Sequence, residues 1–120
     1  MKELKDIKKL GFGLMRLPRN GEEIDVEQTK AMVDRFIEAG FNYFDTAFVY
    51  PGSEEVAREA LVDRYDRESY FLATENAAWS QCQSREDAVR QFLTSLERTN
   101  AKYFDLYLLH NLGLFAELFL

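Results

Sequence analysis

Only one of the 120 residues is a cysteine, Cys82, so no disulfide can close within the chain. No segment approaches the roughly 18 consecutive apolar residues of a membrane helix. The opening MKELKDIKKL lacks the apolar stretch of a secretion signal. Positive charge is also in short supply: 15 Lys and Arg stand against 21 Asp and Glu, a net charge of −6. The one short basic cluster is Lys2, Lys5, Lys8 and Lys9. A protein that grips a phosphate backbone shows a basic patch, so nucleic acid is excluded as a partner. A single histidine and a single cysteine among scattered carboxylates do not make metal-ligand spacing, and no metal is expected. Linkers, charge blocks and low-complexity tracts are missing too. The expectation is one domain spanning 1–120, cytoplasmic, with neither a membrane nor a nucleic acid as partner.

What is present is an alternation of apolar runs with amphipathic helical patterns. Lys9–Leu14 is the first strand, followed by the turn-rich PRNGEE with Pro18, Asn20 and Gly21. Asp25, with Gln28 three residues on, reads as a helix N-cap and capping box. Val26, Val33, Phe36 and Ile37 keep helical spacing, and Gly40 supplies the left-handed position that ends the helix. Phe41–Ala47 is the second strand. Pro51-Gly52 then breaks the chain, and Ser53 is expected to cap a helix. Glu54 and Glu55 suit that helix's positive end, and Val56, Ala57, Ala60 and Leu61 form its apolar face. Tyr70–Thr74 is the third strand. Ser84 caps a third helix with the stripe Ala88, Val89, Phe92, Leu93 and Leu96. Phe104–His110 is the fourth strand, and the apolar tail Leu112–Leu120 follows as the start of a further helix or an exposed apolar end.

The order β-α-β-α-β-α-β implies an α/β fold with parallel strands and right-handed crossovers. A unit length of about 30 residues is that of the βαβ unit itself. A complete (β/α)8 barrel takes roughly 200 residues or more. The chain is therefore expected to hold the first four β/α units, a half barrel.

In α/β barrels the side chains at the C-terminal ends of the strands face the active site. Four residues occupy such places: Asp45 at the end of FDTA, Tyr50 in the loop after it, Glu75 at the end of LATE and His110 at the end of LLH. Each has an ordinary structural alternative. Asp45 could close a turn, and Tyr50 could be one packing aromatic among many in a chain that is 14% aromatic. His110 could be a satisfied structural histidine, and Glu75 could face solvent.

Taken together, LGFGLMRLP, GFNYFDTAFVYPGSEE, YFLATENAAW and KYFDLYLLHN resemble, in order and spacing, the aldo/keto reductase family, in particular its bacterial predicted-oxidoreductase branch. The resemblance covers residues 9 to about 111. It implies a TIM-barrel oxidoreductase in which NADPH reduces a small aldehyde or ketone. By that resemblance Tyr50 donates the proton, Asp45 is the supporting aspartate, His110 orients and polarises the carbonyl, and Glu75 stands where the family has its lysine. The main cofactor contacts are expected beyond Leu120. The Gly11-x-Gly13 pair is not a dinucleotide fingerprint, because the third glycine and the helix start are missing.

The residue at position 75 alters the chemistry. A phenol with an ordinary pKa near 10 works at neutral pH only if a neighbouring cation stabilises its anion. Glu75 puts a carboxylate there beside Asp45, and two carboxylates raise each other's pKa and that of Tyr50. Carbonyl reduction by this chain is therefore expected to be absent or severely impaired. A half barrel also has open strand edges and uncovered apolar surface, for which a two-fold homodimer is the expected remedy. The alternative function is a non-catalytic half barrel that self-associates. A third is weak binding of a nicotinamide or a carbonyl without reaction.

Overall fold

The structure, a computed structural model, describes residues 2–78 and 82–110. The expected apolar tail Leu112–Leu120 lies outside the described residues. Within them the chain runs β1 (Gly11–Gly13), β2 (Arg19–Asn20), β3 (Glu23–Ile24), α1 (Val26–Glu38), β4 (Tyr43–Asp45), α2 (Ser53–Ala57), β5 (Phe71–Asn76), α3 (Arg85–Thr99) and β6 (Leu106–Leu109). A π-helical turn, Arg58–Val62, continues α2.

Strands β1, β4, β5 and β6 form one parallel sheet in that order. Sequential strands are neighbours and each crossover carries a helix, which is how a (β/α)8 barrel begins. The fold is the expected α/β partial barrel. The strands are shorter than the apolar runs that announced them, although backbone hydrogen bonds between neighbouring runs continue past their ends, as from Leu14 N–H to the Asp45 carbonyl at 2.8 Å. The exception is β5, which extends past Thr74 to Asn76, so Glu75 lies inside a strand. The stretch PRNGEE is an antiparallel hairpin, β2 with β3, turning at Gly21 with φ +66°.

The helix ends follow local chemistry. Asp25 Oδ1 accepts from Gln28 N–H at 3.0 Å, and Ser84 Oγ accepts from Asp87 N–H at 3.2 Å. Ser53 departs from expectation: Gly52, in the left-handed region at φ 73°, is the N-cap of α2, and Ser53 is its buried first residue.

The core lies between the sheet and its helices. Phe44 and Leu72 from the strands meet Val33 of α1 and Val56, Ala57 and Leu61 of the second helical segment. Around them Phe36 meets Phe12 and Phe44 edge to face, and Phe12 and Phe44 lie tilted against each other, with centroids 5.2–5.5 Å apart. The third helix behaves differently from its sequence pattern. Its buried positions are Gln91, Ser95 and Thr99, while Val89 and Leu93 are about half exposed. Gln91 turns inward because its amide clamps the backbone after β5, accepting from Ala77 N–H at 2.9 Å. Among the described residues no helix is long and apolar enough to cross a membrane.

Candidate functional site

Side chains alternate along a strand, so each core contact fixes what faces the other way. Phe44 points into the helix layer, and Tyr43 and Asp45 therefore face the inner side of the sheet. On β5, Leu72 joins the core, Thr74 donates to Glu54 of α2 at 2.8 Å, and Asn76 donates to the Ala88 carbonyl of α3 at 3.2 Å. Ala73 and Glu75 thus share the inner face with Asp45. Asp45 pairs with Ala73 in the ladder, and Glu75 is the next inward residue along. Gly11 is needed beside them: a Cβ there would lie 2.9 Å from Tyr43 Cδ1.

The loop after β4 delivers Tyr50. Thr46 N–H donates to the Ala73 carbonyl at 3.0 Å, Phe48 N–H to the Glu75 carbonyl at 3.2 Å, and Tyr50 N–H to the Ala47 carbonyl at 3.2 Å. The chain therefore curls over the end of β5 before entering α2. His110 follows β6, its N–H donating to the Asn76 carbonyl at 2.9 Å. Its Nδ1 stands 3.1 Å from Glu75 Oε2, and its ring meets that of Tyr50 edge to face with centroids 5.7 Å apart. All four residues singled out from the sequence are brought to one end of the sheet, on one face.

The electrostatics follow from this crowding. Burial, reinforced by the Glu75 carboxylate, pushes the Asp45 carboxyl up to about 6, with His110 pulling the other way. Burial, then Glu75, then Asp45 raise the Tyr50 phenol above its ordinary value. Tyr43 is raised by burial, Asp45 and Glu75 in that order. Among the described residues no lysine or arginine pairs with Asp45 or Glu75, and no cluster of three metal-ligating side chains occurs.

Residues not singled out as site residues in the sequence hold the loop in place. Ser53 Oγ donates to the Leu14 carbonyl at 2.9 Å and lies 2.6 Å from Thr46 Oγ1. Glu54, fully buried, takes Thr74 Oγ1 at 2.8 Å and Arg98 Nη1 at 3.1 Å. Arg98 also donates to the Phe48 carbonyl at 3.0 Å and lies over the Phe48 ring. Glu54 had the signature of a helix-dipole partner; only the fold reveals Arg98 opposite it. A cleft of about 390 Å³ between the β2–β3 hairpin and α2, lined by Ile24, Val26, Gly52 and Val56, includes none of the four mouth residues.

Comparison with known proteins gives this arrangement a context. The profile of the aldo/keto reductase family matches residues 9–113. An aldo-keto reductase of Mycolicibacterium smegmatis is 30% identical over 104 residues, covering 87% of this chain and 34% of that protein. The methylglyoxal reductase of Escherichia coli is 37% identical over 99 residues, 80% of this chain and 34% of its own length. The crystal structure of an aldo-keto reductase from Klebsiella pneumoniae in complex with NADPH superposes with a TM-score of 0.71 at 28% identity, over 87% of this chain and 35% of that one. The chain spans about a third of the length of the curated relatives it matches.

Proposed function

Since this chain belongs to the aldo/keto reductase family, we propose that it carries the carbonyl-binding part of an oxidoreductase site whose reductive chemistry is strongly attenuated by Glu75. The observation behind this reading is the placement of Glu75 beside Asp45, with its carboxylate on His110 rather than a cation on Tyr50. The substrate class is a small aldehyde or ketone, in a cytoplasmic setting. A bound NADPH would supply the hydride for its reduction.

The described residues offer groups to the carbonyl rather than to the cofactor. Tyr50 offers a phenolic O–H to a carbonyl oxygen, and His110 offers an imidazole against the Tyr50 ring. Holding a carbonyl requires no more than this. Releasing the proton quickly requires stabilising a phenolate, and two nearby carboxylates do the reverse. Tyr50 is thus a hydrogen-bond donor first and a proton donor only slowly.

The test compares NADPH oxidation with methylglyoxal by the natural chain and by Glu75→Lys. Placing an ammonium beside Asp45 and Tyr50 is expected to raise turnover by at least about ten-fold, within the usual range for acid-base assistance. Equal turnover in the two proteins, both folded, would remove Glu75 as the cause of attenuation.

A second reading, a self-associating scaffold, draws on a different observation. Among the described residues β6 is one of the two edge strands of the sheet, with Leu108 and Leu109 exposed, and Val89 and Leu93 of α3 are exposed as well. A second copy of the chain would cover this strip in a homodimer.

A further inference from the structure

Phe48 stands in the middle of the loop that joins β4 to α2, two residues before Tyr50, and its backbone is held from two sides. Its N–H donates to the Glu75 carbonyl of β5 at 3.2 Å, and its carbonyl accepts from Arg98 Nη1 of α3 at 3.0 Å. The guanidinium also lies over the Phe48 ring, 4.5 Å from the centroid. It reaches α2 as well, where Nη1 donates to Glu54 Oε1 at 3.1 Å and Nε stands 3.5 Å from Glu55 Oε1. One side chain in the last turn of α3 thus ties together the loop, the helix that follows it and α3 itself. A planar guanidinium, its donors fixed in a fork, suits a carbonyl, a carboxylate and a ring face together, which a lysine ammonium does not.

Glu54 explains why the guanidinium stands there. Its side chain is 1% exposed and takes Thr74 Oγ1 at 2.8 Å besides Arg98. A buried carboxylate is costly unless a cation meets it, so the position of Glu54 dictates that of Arg98. The two ends of the loop are closed separately: the Thr46 and Ser53 hydroxyls lie 2.6 Å apart, and Ser53 Oγ donates to the Leu14 carbonyl. The middle is left to β5 and Arg98. Farther back on the same helix, Gln91 clamps the chain after β5, accepting from Ala77 N–H at 2.9 Å and donating to its carbonyl at 3.3 Å. The polar side chains of α3 therefore grip both loops that leave this end of the sheet.

We infer that Arg98 is a positioning residue for Tyr50: acting through Phe48, and anchored by Glu54, it fixes where the phenol stands at the mouth of the sheet. The inference rests on the carbonyl-binding reading for its use, although the tie itself is a matter of structure. A misplacement of about 1 Å can cost about a hundred-fold in rate. Arg98 thus governs a reaction at Tyr50 without touching a substrate.

The experiment compares the natural chain with the double variant Glu54→Gln/Arg98→Met. Removing both partners leaves no buried carboxylate without its cation, and the glutamine still accepts from Thr74. Amide hydrogen exchange, followed by NMR, reads the loop directly. The Phe48 and Tyr50 amides are expected to exchange about ten-fold or more faster through local opening, while Val33, buried in α1, keeps its rate. The Tyr50 ring resonances should shift too, since they sense the ring current of His110 with its centroid 5.7 Å away. Arg98→Lys keeps the charge beside Glu54 without the fork, so the same two amides should quicken while the urea midpoint changes little. Phe48 and Tyr50 amides that exchange at the natural rate in both variants, or that quicken only in step with Val33, would overturn the inference. Turnover of methylglyoxal with NADPH is measured in the Glu75→Lys background, where adding the double substitution should lower kcat/KM by about ten-fold to a hundred-fold. An unchanged kcat/KM with loosened loop amides would also overturn the positioning role. No turnover in Glu75→Lys itself would count against the reductase reading alone, and exchange would then decide the part played by Arg98.

Discussion

At the N-terminal end of the sheet Asp105 meets Lys2 Nζ at 3.0 Å and Arg67 Nη2 at 2.9 Å, and it accepts the Leu72 N–H at 2.8 Å. At the C-terminal end Asp45 and Glu75 share one face with no lysine or arginine on either, among the described residues. Asp105 and Glu75 are both largely shielded, at 7% and 16% side-chain exposure, so the difference is not one of burial alone. A buried carboxylate is tolerated when cations and backbone donors replace the water it has lost. Where they do not, desolvation and like charge move its pKa instead. The first end resembles construction for stability, the second a place where stability was given up for chemistry, as barrel folds commonly divide their two faces. Glu54 on α2 sides with the first group: it is fully buried but held by Arg98 and Thr74.

The comparison breaks most visibly at Asp105. Its side chain is 7% exposed and those of Lys2 and Arg67 only 13% and 12%. Asp105→Ala leaves two nearly buried cations and a backbone N–H without their shared acceptor. A loss of about 3–5 kcal/mol is expected, as for other broken buried pairs. That is a large part of the stability of a domain this size. The urea midpoint measures it; a loss below about 1 kcal/mol would mean that the cluster is as solvated as an ordinary surface bridge.

Asp45 gives the opposite sign. Its carboxyl is raised from an ordinary 3.8 to about 6 in the folded chain. Between those values the folded state binds more protons than the unfolded, so stability falls as pH rises through the window and is lowest above 6. Two units amount to about 3 kcal/mol in full, and solvent screening of a half-buried group reduces this to about 1–2 kcal/mol. Asp45→Asn is therefore expected to be more stable than the natural chain at pH 7 by that amount and equal to it near pH 4. Denaturation curves across this range measure the difference. A natural chain that loses nothing between pH 4 and pH 7 relative to Asp45→Asn would show that Asp45 has found a partner.

How far these features could be read from sequence follows from how local they are. The βαβ order and the strand-end placement of Asp45, Tyr50 and His110 depend on period and on turns within a few residues, and both were visible there. Glu75 was placed at the right end of the right strand, yet inside β5 rather than after it. The Asp105 cluster was invisible because it joins the two ends of the described chain, Lys2 to Asp105. The Glu54–Arg98 pair joins residues 44 apart. The stripe of α3 misled because Gln91 gains two hydrogen bonds to Ala77 that no hydropathy pattern records.

That misleading stripe supplies the smallest effect. Val89 and Leu93 are 50% and 55% exposed, so they contribute little to the fold of one copy. Changing both to serine should alter the urea midpoint by no more than about 0.5 kcal/mol, the ordinary range for surface substitutions. If a second copy of the chain covers them beside Leu108 and Leu109, the same double substitution should weaken self-association markedly. Light scattering on both proteins at micromolar concentration then separates two kinds of exposed apolar residue. A dimer in the natural chain and a monomer in the variant would assign the strip to an interface. A monomer in both would leave Val89 and Leu93 as isolated surface residues, of the sort soluble proteins tolerate singly. The contrast between the two ends of the sheet would then remain the main division of labour in the molecule.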